Sequence, residues 1–447
     1  MKVAIIPFPD TPESEGLATY RYFKPKSADI TAIYWGNPKL PPDVAKIKIG
    51  RGQILDNLDG FDLVVRGPAV HPRQLPSARQ VTSTTNIFFE ECPTKNIIGV
   101  TGTKGKGTTS TLVAKMLEAA GQTVHLGGNI GRPMLDELPK IKPSDWVVLE
   151  VSAGQLIDLK HSPRIGVCLM VVPEHLDWHA DFEEYISAKQ QLFKHQRPAD
   201  LAVYNALSEG SVEVVAVSPA KKLAYAVPPA GVAAEQRDGA YVEGESIFFA
   251  KTRVASVKDV ALLGRHNLEN ICAAIAAVWQ IIDGDTAAIT SVIKSFKGLE
   301  HRLELVRELD GVKYYDDSFA TTPETTIAAL RAFPDQSKVI ILGGSDKGIA
   351  FDELADEVGG GGVRAAILIG NTAPKLEGLL RKREFTAITS GLTTMPEMVK
   401  AARQLAQPGD IVLLSTACAS FGLFKNYKDR GEQFKQVVKV LPDNPQS

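Results

Sequence analysis

The residues most clearly suited to chemistry are Gly102-Thr103-Lys104-Gly105-Lys106-Gly107-Thr108-Thr109. They follow a short apolar run at 97–100 and precede a helical pattern over 110–120. A strand, a glycine-rich turn and a helix make a phosphate-holding unit. N–H groups at the helix start face the anion, and glycine lets the main chain come close. Lys106 adds a charge able to reach terminal phosphates, and Thr108 or Thr109 offers a hydroxyl to Mg²⁺. Strict P-loop spacing would put glycine at position 100, where this chain has Val100. ATP is the expected ligand, and the loop alone suits a kinase, a motor or a ligase equally.

A second feature is a lysine on the wrong face of a helix. Over 182–194 the residues Tyr185, Ile186, Leu192 and Phe193 form an apolar stripe, and Lys189 falls inside it. An unpaired buried ammonium is costly. Either the stem packs and the head snorkels to water, or the amine loses its proton. A desolvated neutral amine can add CO₂ and become an anionic oxygen ligand suited to Mg²⁺. Glu150, ending the apolar run 146–151, and His175, in His175-Leu176-Asp177-Trp178-His179, could complete such a metal site. A hydrogen-bonded core histidine is the other reading of His175.

These residues need a scaffold. The 447 residues are too many for one ordinary core, and 44% hydrophobic with 23% charged residues is a globular balance. A net charge of −2 gives no bulk attraction to nucleic acid. Cys92, Cys168, Cys272 and Cys418 are scattered without a CxxC pair, which suits a reducing compartment better than a disulfide framework or zinc site. The first apolar run is too short for a signal peptide, and nothing approaches a membrane span. The expectation is a cytoplasmic protein without membrane or nucleic-acid partners.

β-branched runs alternating with helical patterns predict α/β layers on mainly parallel sheets. Strands are expected at 3–6, 30–34 and 63–65, then at 97–100, 146–151, 165–172 and 201–204. Short alternating segments over 210–256, with 241–249 as a strand, predict an antiparallel side sheet. A helix starts at Asn267 with Leu268, Ile271, Cys272, Ile275 and Trp279 at helical spacing. Further strands are expected at 312–315, 339–342, 366–369 and 411–414. Three α/β domains result, at 1–92, 93–298 and 299–447, with a frayed tail from Pro442.

The motifs together resemble the Mur ligase family, which includes folylpolyglutamate synthase. The likeness runs over about 62–440. It comprises residues 99–109, Gly127-Gly128-Asn129-Ile130-Gly131, Leu149-Glu150-Val151-Ser152, Glu174-His175-Leu176-Asp177 and Ala188-Lys189. Gly264-Arg265-His266-Asn267, Gly298-Leu299-Glu300-His301-Arg302 and Tyr315-Asp316-Asp317-Ser318 continue it. Gly343-Gly344-Ser345-Asp346-Lys347-Gly348, the run from Leu414 to Ser420, and Phe424-Lys425-Asn426-Tyr427 are similar to the D-glutamate-adding branch.

The resemblance implies a Rossmann-like N-terminal domain for a UDP substrate and a central P-loop ATPase-like domain with a side antiparallel sheet. A Rossmann-like C-terminal domain for the amino acid completes it. It also implies two Mg²⁺ ions and a carbamylated Lys189, with Glu150 serving one ion and His175 and Lys189 the other. Asn267, Asn270, Arg302 and Asp317 would serve the nucleotide. Asn129 and Ser152 would serve the substrate, with Thr321, Lys347, Ser420 and Tyr427 at the amino acid. The implied substrates are UDP-N-acetylmuramoyl-L-alanine and D-glutamate, joined through an acyl phosphate by a monomer.

This chain departs from the pattern at three places. Gly107 stands where a hydroxyl usually follows Lys106, and Phe319 stands where the branch usually has lysine. Pro7-Phe8-Pro9-Asp10-Thr11-Pro12 replaces a glycine-rich turn, with Thr11 a possible cap for a helix opening at Pro12. A related ligase with another acceptor, such as a folate, and a non-catalytic nucleotide-binding regulator are the alternatives.

Overall fold

The computed structural model describes residues 1–8, 14–36, 38–130, 132–229, 231–235, 237–262, 264–346 and 350–443. They form two compact units, Met1–Phe296 and Lys297–Ser447. Among them no helix is long and apolar enough to cross a membrane.

The first unit opens with β1 (Lys2–Ile6), β2 (Asp29–Tyr34), β3 (Ala45–Lys48), β4 (Leu63–Arg66) and β5 (Val81–Ser83). They form a sheet of order β3-β2-β1-β4-β5, with every pair parallel. The second sheet holds β6 (Ile97–Thr101), β7 (Val124–Gly128), β8 (Trp146–Glu150), β9 (Ile165–Cys168), β10 (Leu201–Asn205) and β11 (Lys221–Tyr225). Its order is β11-β10-β9-β6-β8-β7, again all parallel. β6, β8 and β9 are buried at every residue, as expected of strands covered on both faces.

The antiparallel side sheet is smaller than expected. A helix, Glu209–Ala216, and the parallel edge strand β11 occupy the start of the 210–256 span. The sheet proper is β12 (Ala240–Glu243), β13 (Ser246–Phe249) and β14 (Thr252–Ser256). Residues 241–249 are therefore a hairpin, not one strand. Gly244, at φ 58°, supplies the positive φ that its two-residue turn needs.

A buried arginine ties the two parallel sheets together. Arg66 ends β4 with no exposed surface. Its guanidinium forms an ion pair with Asp158 and donates to the carbonyls of Gly154 at 3.0 Å and Val70 at 3.2 Å. Asn86 donates to the Asp158 carbonyl at 3.0 Å, so the same loop is held twice.

The second unit holds β15 (Glu304–Leu309), β16 (Val312–Asp316), β17 (Lys338–Gly343), β18 (Val363–Ile369), β19 (Ile388–Ser390) and β20 (Ile411–Leu414). Their order is β15-β16-β20-β17-β18-β19, with only the β15–β16 hairpin antiparallel. Alternation along β17 shows why both faces are covered. Ile340 and Leu342 pack with Leu330, Leu354 and Leu376 on one side. Val339 and Ile341 pack with Met398, Val399 and Phe434 on the other. At the expected frayed tail, Asp443 is held by Arg307 at 2.8 Å, and residues 444–447 lie outside the described set.

Breaking a buried ion pair from one side leaves its partners unsatisfied, at a cost of about 3–5 kcal/mol. Arg66→Met is expected to lower the unfolding free energy of the chain by roughly 3 kcal/mol, read from urea unfolding followed by tryptophan fluorescence. A loss below about 1 kcal/mol would show that the Arg66–Asp158 link is not a main tie of this unit.

Candidate active site

β6 delivers the phosphate loop, and two of its glycines are required by shape. Gly102 has φ 145°, and a Cβ there would lie 2.6 Å from the Leu169 Cβ. Gly105 has φ 87°, and a Cβ would lie 2.2 Å from the Asn270 Oδ1. The helix Lys106–Ala119 starts four residues before the pattern over 110–120 suggested, because Lys106-Gly107-Thr108-Thr109 has no apolar periodicity. Its N-cap is Gly105, without a side-chain hydrogen bond. The first-turn N–H groups of a 14-residue helix are thus left for an anion.

The loop's side chains are tied into the surrounding structure. Thr103 is an anchor: its N–H donates to the Met170 carbonyl at 2.8 Å, and its hydroxyl to the Val172 carbonyl at 3.0 Å. The Tyr185 hydroxyl lies 3.2 Å from the same Thr103 oxygen. Thr109 is fully buried and donates to Asn270 Oδ1 at 3.2 Å, while Asn270 Nδ2 donates to Asn267 Oδ1 at 2.8 Å. Thr108 is buried one residue before Thr109. Lys104 pairs with Glu174 at the surface.

The buried lysine is buried in fact. Lys189, on the helix Phe182–Lys194, is 1% exposed, so the snorkelling alternative does not hold. Its Nζ lies 4.3 Å from the Tyr185 ring centre and donates to the Gly102 carbonyl at 3.1 Å. The Lys106 Nζ donates to the same carbonyl at 3.0 Å and to that of Thr103 at 3.0 Å. Burial and the Lys106 charge push the Lys189 amine down to about 7. A substantial neutral fraction therefore exists near neutral pH.

Glu150 ends β8, buried, and its Oε1 accepts from Asn129 Nδ2 at 2.8 Å. Ser152 caps the short helix Ala153–Leu156 in a reciprocal box with Gln155. Gln155 donates onward to Glu15 Oε1 at 2.7 Å, and Thr84 donates to Glu15 Oε2 at 2.8 Å. Burial pushes the Glu15 carboxyl up against these two hydrogen bonds. Glu15, Thr84, Gly128, Glu150 and Gln155 line a cavity of about 30 Å³, enough for a water. Sequence reasoning missed Glu15, Thr84 and Gln155. Only the Ser152-x-x-Gln155 capping spacing was readable.

His175 is not a core histidine. It sits at φ 57° with a side chain 66% exposed, its Nε2 3.9 Å from the Glu174 carboxylate. The buried histidine of this segment is His179, whose imidazole burial holds below its usual value.

In the second unit, Asp317 accepts from Ser415 Oγ at 2.6 Å and from the Leu303 N–H at 3.1 Å. Burial pushes its carboxyl up to about 7 against those bonds. The Arg302 guanidinium lies 4.8 Å from the Phe319 ring, which meets Tyr427 edge-on at 5.3 Å. Tyr427 opens the helix Tyr427–Lys439, and its carbonyl accepts from Ser318 Oγ at 2.7 Å. Ser420 is buried and Thr321 half-buried. His301, Glu304 and Asp316 approach closely enough to suit an ion. Their groups already satisfy one another: His301 Nδ1 lies 2.7 Å from Asp316, and Glu304 accepts the His301 N–H at 2.9 Å. Lys347, Gly348, Gly131 and the 9–13 segment with its Thr11 cap lie outside the described residues. The helix expected from Pro12 runs over Glu15–Phe23 and is capped by Ser14.

Comparison with known proteins decides the family. The Mur ligase middle domain matches residues 100–278, and the Mur ligase glutamate ligase domain matches residues 301–418. A UDP-N-acetylmuramoylalanine–D-glutamate ligase of Acetivibrio thermocellus is 40% identical over 412 residues, covering 89% of this chain and 86% of its own. The chain belongs to the Mur ligase family. A ligase of the same name from Roseiflexus sp. (strain RS-1) is 41% identical over 403 residues, with 86% and 85% covered. Among solved structures, UDP-N-acetylmuramate-alanine ligase MurC from Thermotoga maritima has the same fold at TM-score 0.62 and 16% identity, with 98% of each chain covered. MurF ligase from Thermotoga maritima in complex with ADP follows at TM-score 0.58 and 16% identity, covering 93% of this chain and 96% of its own. This Mur ligase is an ATP-dependent enzyme, and the uncapped helix start at Gly105 is the feature of its fold that suits ATP.

Lys189 makes stability depend on pH in a defined direction. Unfolded, its amine titrates near its ordinary 10.5; folded, near 7. Between those values the unfolded chain binds the extra proton, so this group's contribution to stability rises with pH. Its penalty is complete below about 7 and gone above 10.5. Lys189→Met, in carbonate-free buffer without nucleotide, is expected to raise Tm at pH 6 and to lose that advantage as pH approaches 10. A Tm difference that stays constant over this range contradicts the burial argument.

Proposed function

We propose that this Mur ligase joins D-glutamate to UDP-N-acetylmuramoyl-L-alanine in the cytoplasm, a step of peptidoglycan precursor synthesis. The observation that carries the reading is the buried Lys189 amine, sharing the Gly102 carbonyl with Lys106 and pushed down to about 7. The names of relatives at 36–41% identity, each covering at least 84% of its own length, support the choice of substrates.

In this reaction a carboxylate oxygen of the UDP substrate takes the γ-phosphoryl group of ATP, giving an acyl phosphate and ADP. The D-glutamate amine attacks the acyl carbon through a tetrahedral intermediate, and the C–O bond to phosphate breaks, leaving an amide and inorganic phosphate. All the reacting species are anionic, so fixed positive charge must surround the transferring group. Lys106 and the uncapped N–H groups at the helix start would supply it. Residues 1–92, 93–298 and 299–447 would bind the UDP substrate, ATP and the amino acid in turn. Asn129 and Ser152 would contact the UDP substrate, and Thr321, Lys347, Ser420 and Tyr427 the D-glutamate. Asn267, Asn270, Arg302 and Asp317 would orient the nucleotide.

Mg²⁺ suits part of this donor set. The Glu150 carboxylate and a threonine hydroxyl are hard oxygen ligands, and Thr108 is the better candidate because Thr109 is bonded to Asn270. An ammonium repels a cation, so Lys189 fits only after its neutral amine has added CO₂ to become a carbamate. His175, on its exposed turn, would complete the second site. Mg²⁺ there would neutralise phosphate charge and polarise the transferring phosphoryl group.

Phosphate release from ATP, with Mg²⁺ and bicarbonate, is expected only when D-glutamate and UDP-N-acetylmuramoyl-L-alanine are both present. Release with another amino acid or a folate instead would assign a different acceptor. Lys189→Ala is expected to lower kcat at least a hundredfold and Lys106→Ala to raise the KM for ATP. Full turnover by Lys189→Ala would remove the carbamate from the mechanism.

A further inference from the structure

The phosphate loop lies at the carboxyl end of β6, where open parallel sheets ordinarily bind ligands. The opposite end of this sheet carries a second concavity. Five residues of β6, about 17 Å of strand, separate the two. The loops entering β6, β9 and β10 line a cavity of about 360 Å³. That volume falls within the range of small-molecule sites, roughly 300–1,000 Å³.

Its lining is strongly basic. Lys95 precedes β6, Lys160 and Arg164 precede β9, and Arg197 precedes β10. His161 and His195 add two imidazoles. Among the described residues of the lining, Asp200 is the one carboxylate, and it is already engaged. It accepts the Arg197 N–H at 2.7 Å and lies 3.5 Å from the Arg197 Nε. On the rim, Glu90 lies 3.4 Å from the His161 imidazole. Lys95 and Lys160 have no carboxylate partner among the described residues. In a chain of net charge −2, four cations converging from three loops make a local positive field. The field acts on its own members: burial, then Lys194 and His161, hold the His195 imidazole below its usual value.

The walls are held in place without any ligand. The His195 N–H donates to Ser162 Oγ at 3.0 Å, and Gln196 Nε2 to the Pro163 carbonyl at 3.2 Å. Arg164 is fixed by Asn96 at 2.7 Å and by the Trp146 ring. Phe89 and His161 stack at 11°, offering a flat aromatic wall. Lys95, Lys160 and Arg197 line the cavity from exposed positions on these loops, and their shared positive charge favours a compact, highly charged anion.

We propose that this cavity is a second anion site, distinct from the ATP loop, that binds a small phosphoryl-bearing molecule through Lys95, Lys160 and Arg197. It does not depend on the substrate assignment above. Two sources share this chemistry, inorganic phosphate and a nucleoside monophosphate whose ring would lie against the His161 wall.

The test is calorimetric titration of the full chain with its ATP loop saturated by a non-hydrolysable ATP analogue and Mg²⁺. Inorganic phosphate and AMP are the titrants. One further equivalent is expected to bind, weakening as salt rises. AMP at least tenfold tighter than phosphate identifies the nucleotide as the source; equal affinities identify the phosphoryl group alone. Lys160→Glu with Arg197→Glu is expected to weaken binding at least tenfold, and the milder Lys160→Gln with Arg197→Gln several-fold. Either pair, folded and binding both titrants unchanged, overturns the proposal. So does the absence of binding by the parent chain up to 10 mM of each titrant.

Discussion

Two lysine amino groups converge on one backbone carbonyl, and the candidate site is arranged around that contact. Lys106 reaches the Gly102 oxygen at 3.0 Å from the helix that follows the loop, and Lys189 reaches it at 3.1 Å from a helix some eighty positions later in the chain. The proximity of the two charges, added to burial, lowers the affinity of Lys189 for its proton. Gly102 is bound into the same constraint, because a side chain at φ 145° would run into Leu169. Loop shape and lysine chemistry are therefore one problem with one solution.

The sheet explains how distant residues arrive there. β6 lies between β8 and β9, so the carboxyl ends of three neighbouring parallel strands present the phosphate loop, Glu150 and the 169–172 segment side by side. The hydrogen bonds of Thr103 to Met170 and Val172 lock the loop to that last segment. The first sheet contributes through Arg66 and through the chain from Thr84 to Glu15, Gln155 and Ser152. In the second unit the same principle holds Asp317: it follows β16 immediately, and Ser415 follows β20, the strand paired with β16.

Much of this was legible in the residues. Buried strands such as β6, β8 and β17 are built on short apolar runs (97–100, 146–149 and 339–342), and runs of that kind belong inside parallel sheets. Edge strands were not. β3 reads Ala-Lys-Ile-Lys with every residue exposed, and β19 has no fully buried residue. Their pairing is decided by neighbours far away in sequence, which no local pattern records. The hairpin in 241–249 and the early start of the helix at Lys106 were missed for a related reason. Turns and first turns are specified by backbone geometry at single glycines, Gly244 and Gly105.

The sequence alone placed a glycine-rich turn suited to phosphate after β6 and Lys189 among apolar residues, because glycine spacing and helical periodicity are local properties. It also determined the family, through many short motifs in order. Only the tertiary structure decided the rest: that Lys189 is sealed rather than snorkelling, that His175 faces solvent and His179 does not, and that Thr109 is engaged by Asn270. Glu15 joining Gln155 and the basic cavity behind the sheet belong to the same class. The reason is physical. Burial, proton affinity and hydrogen-bond partnership depend on atoms brought together from across the chain, and a one-dimensional pattern carries only which residues stand ready to meet.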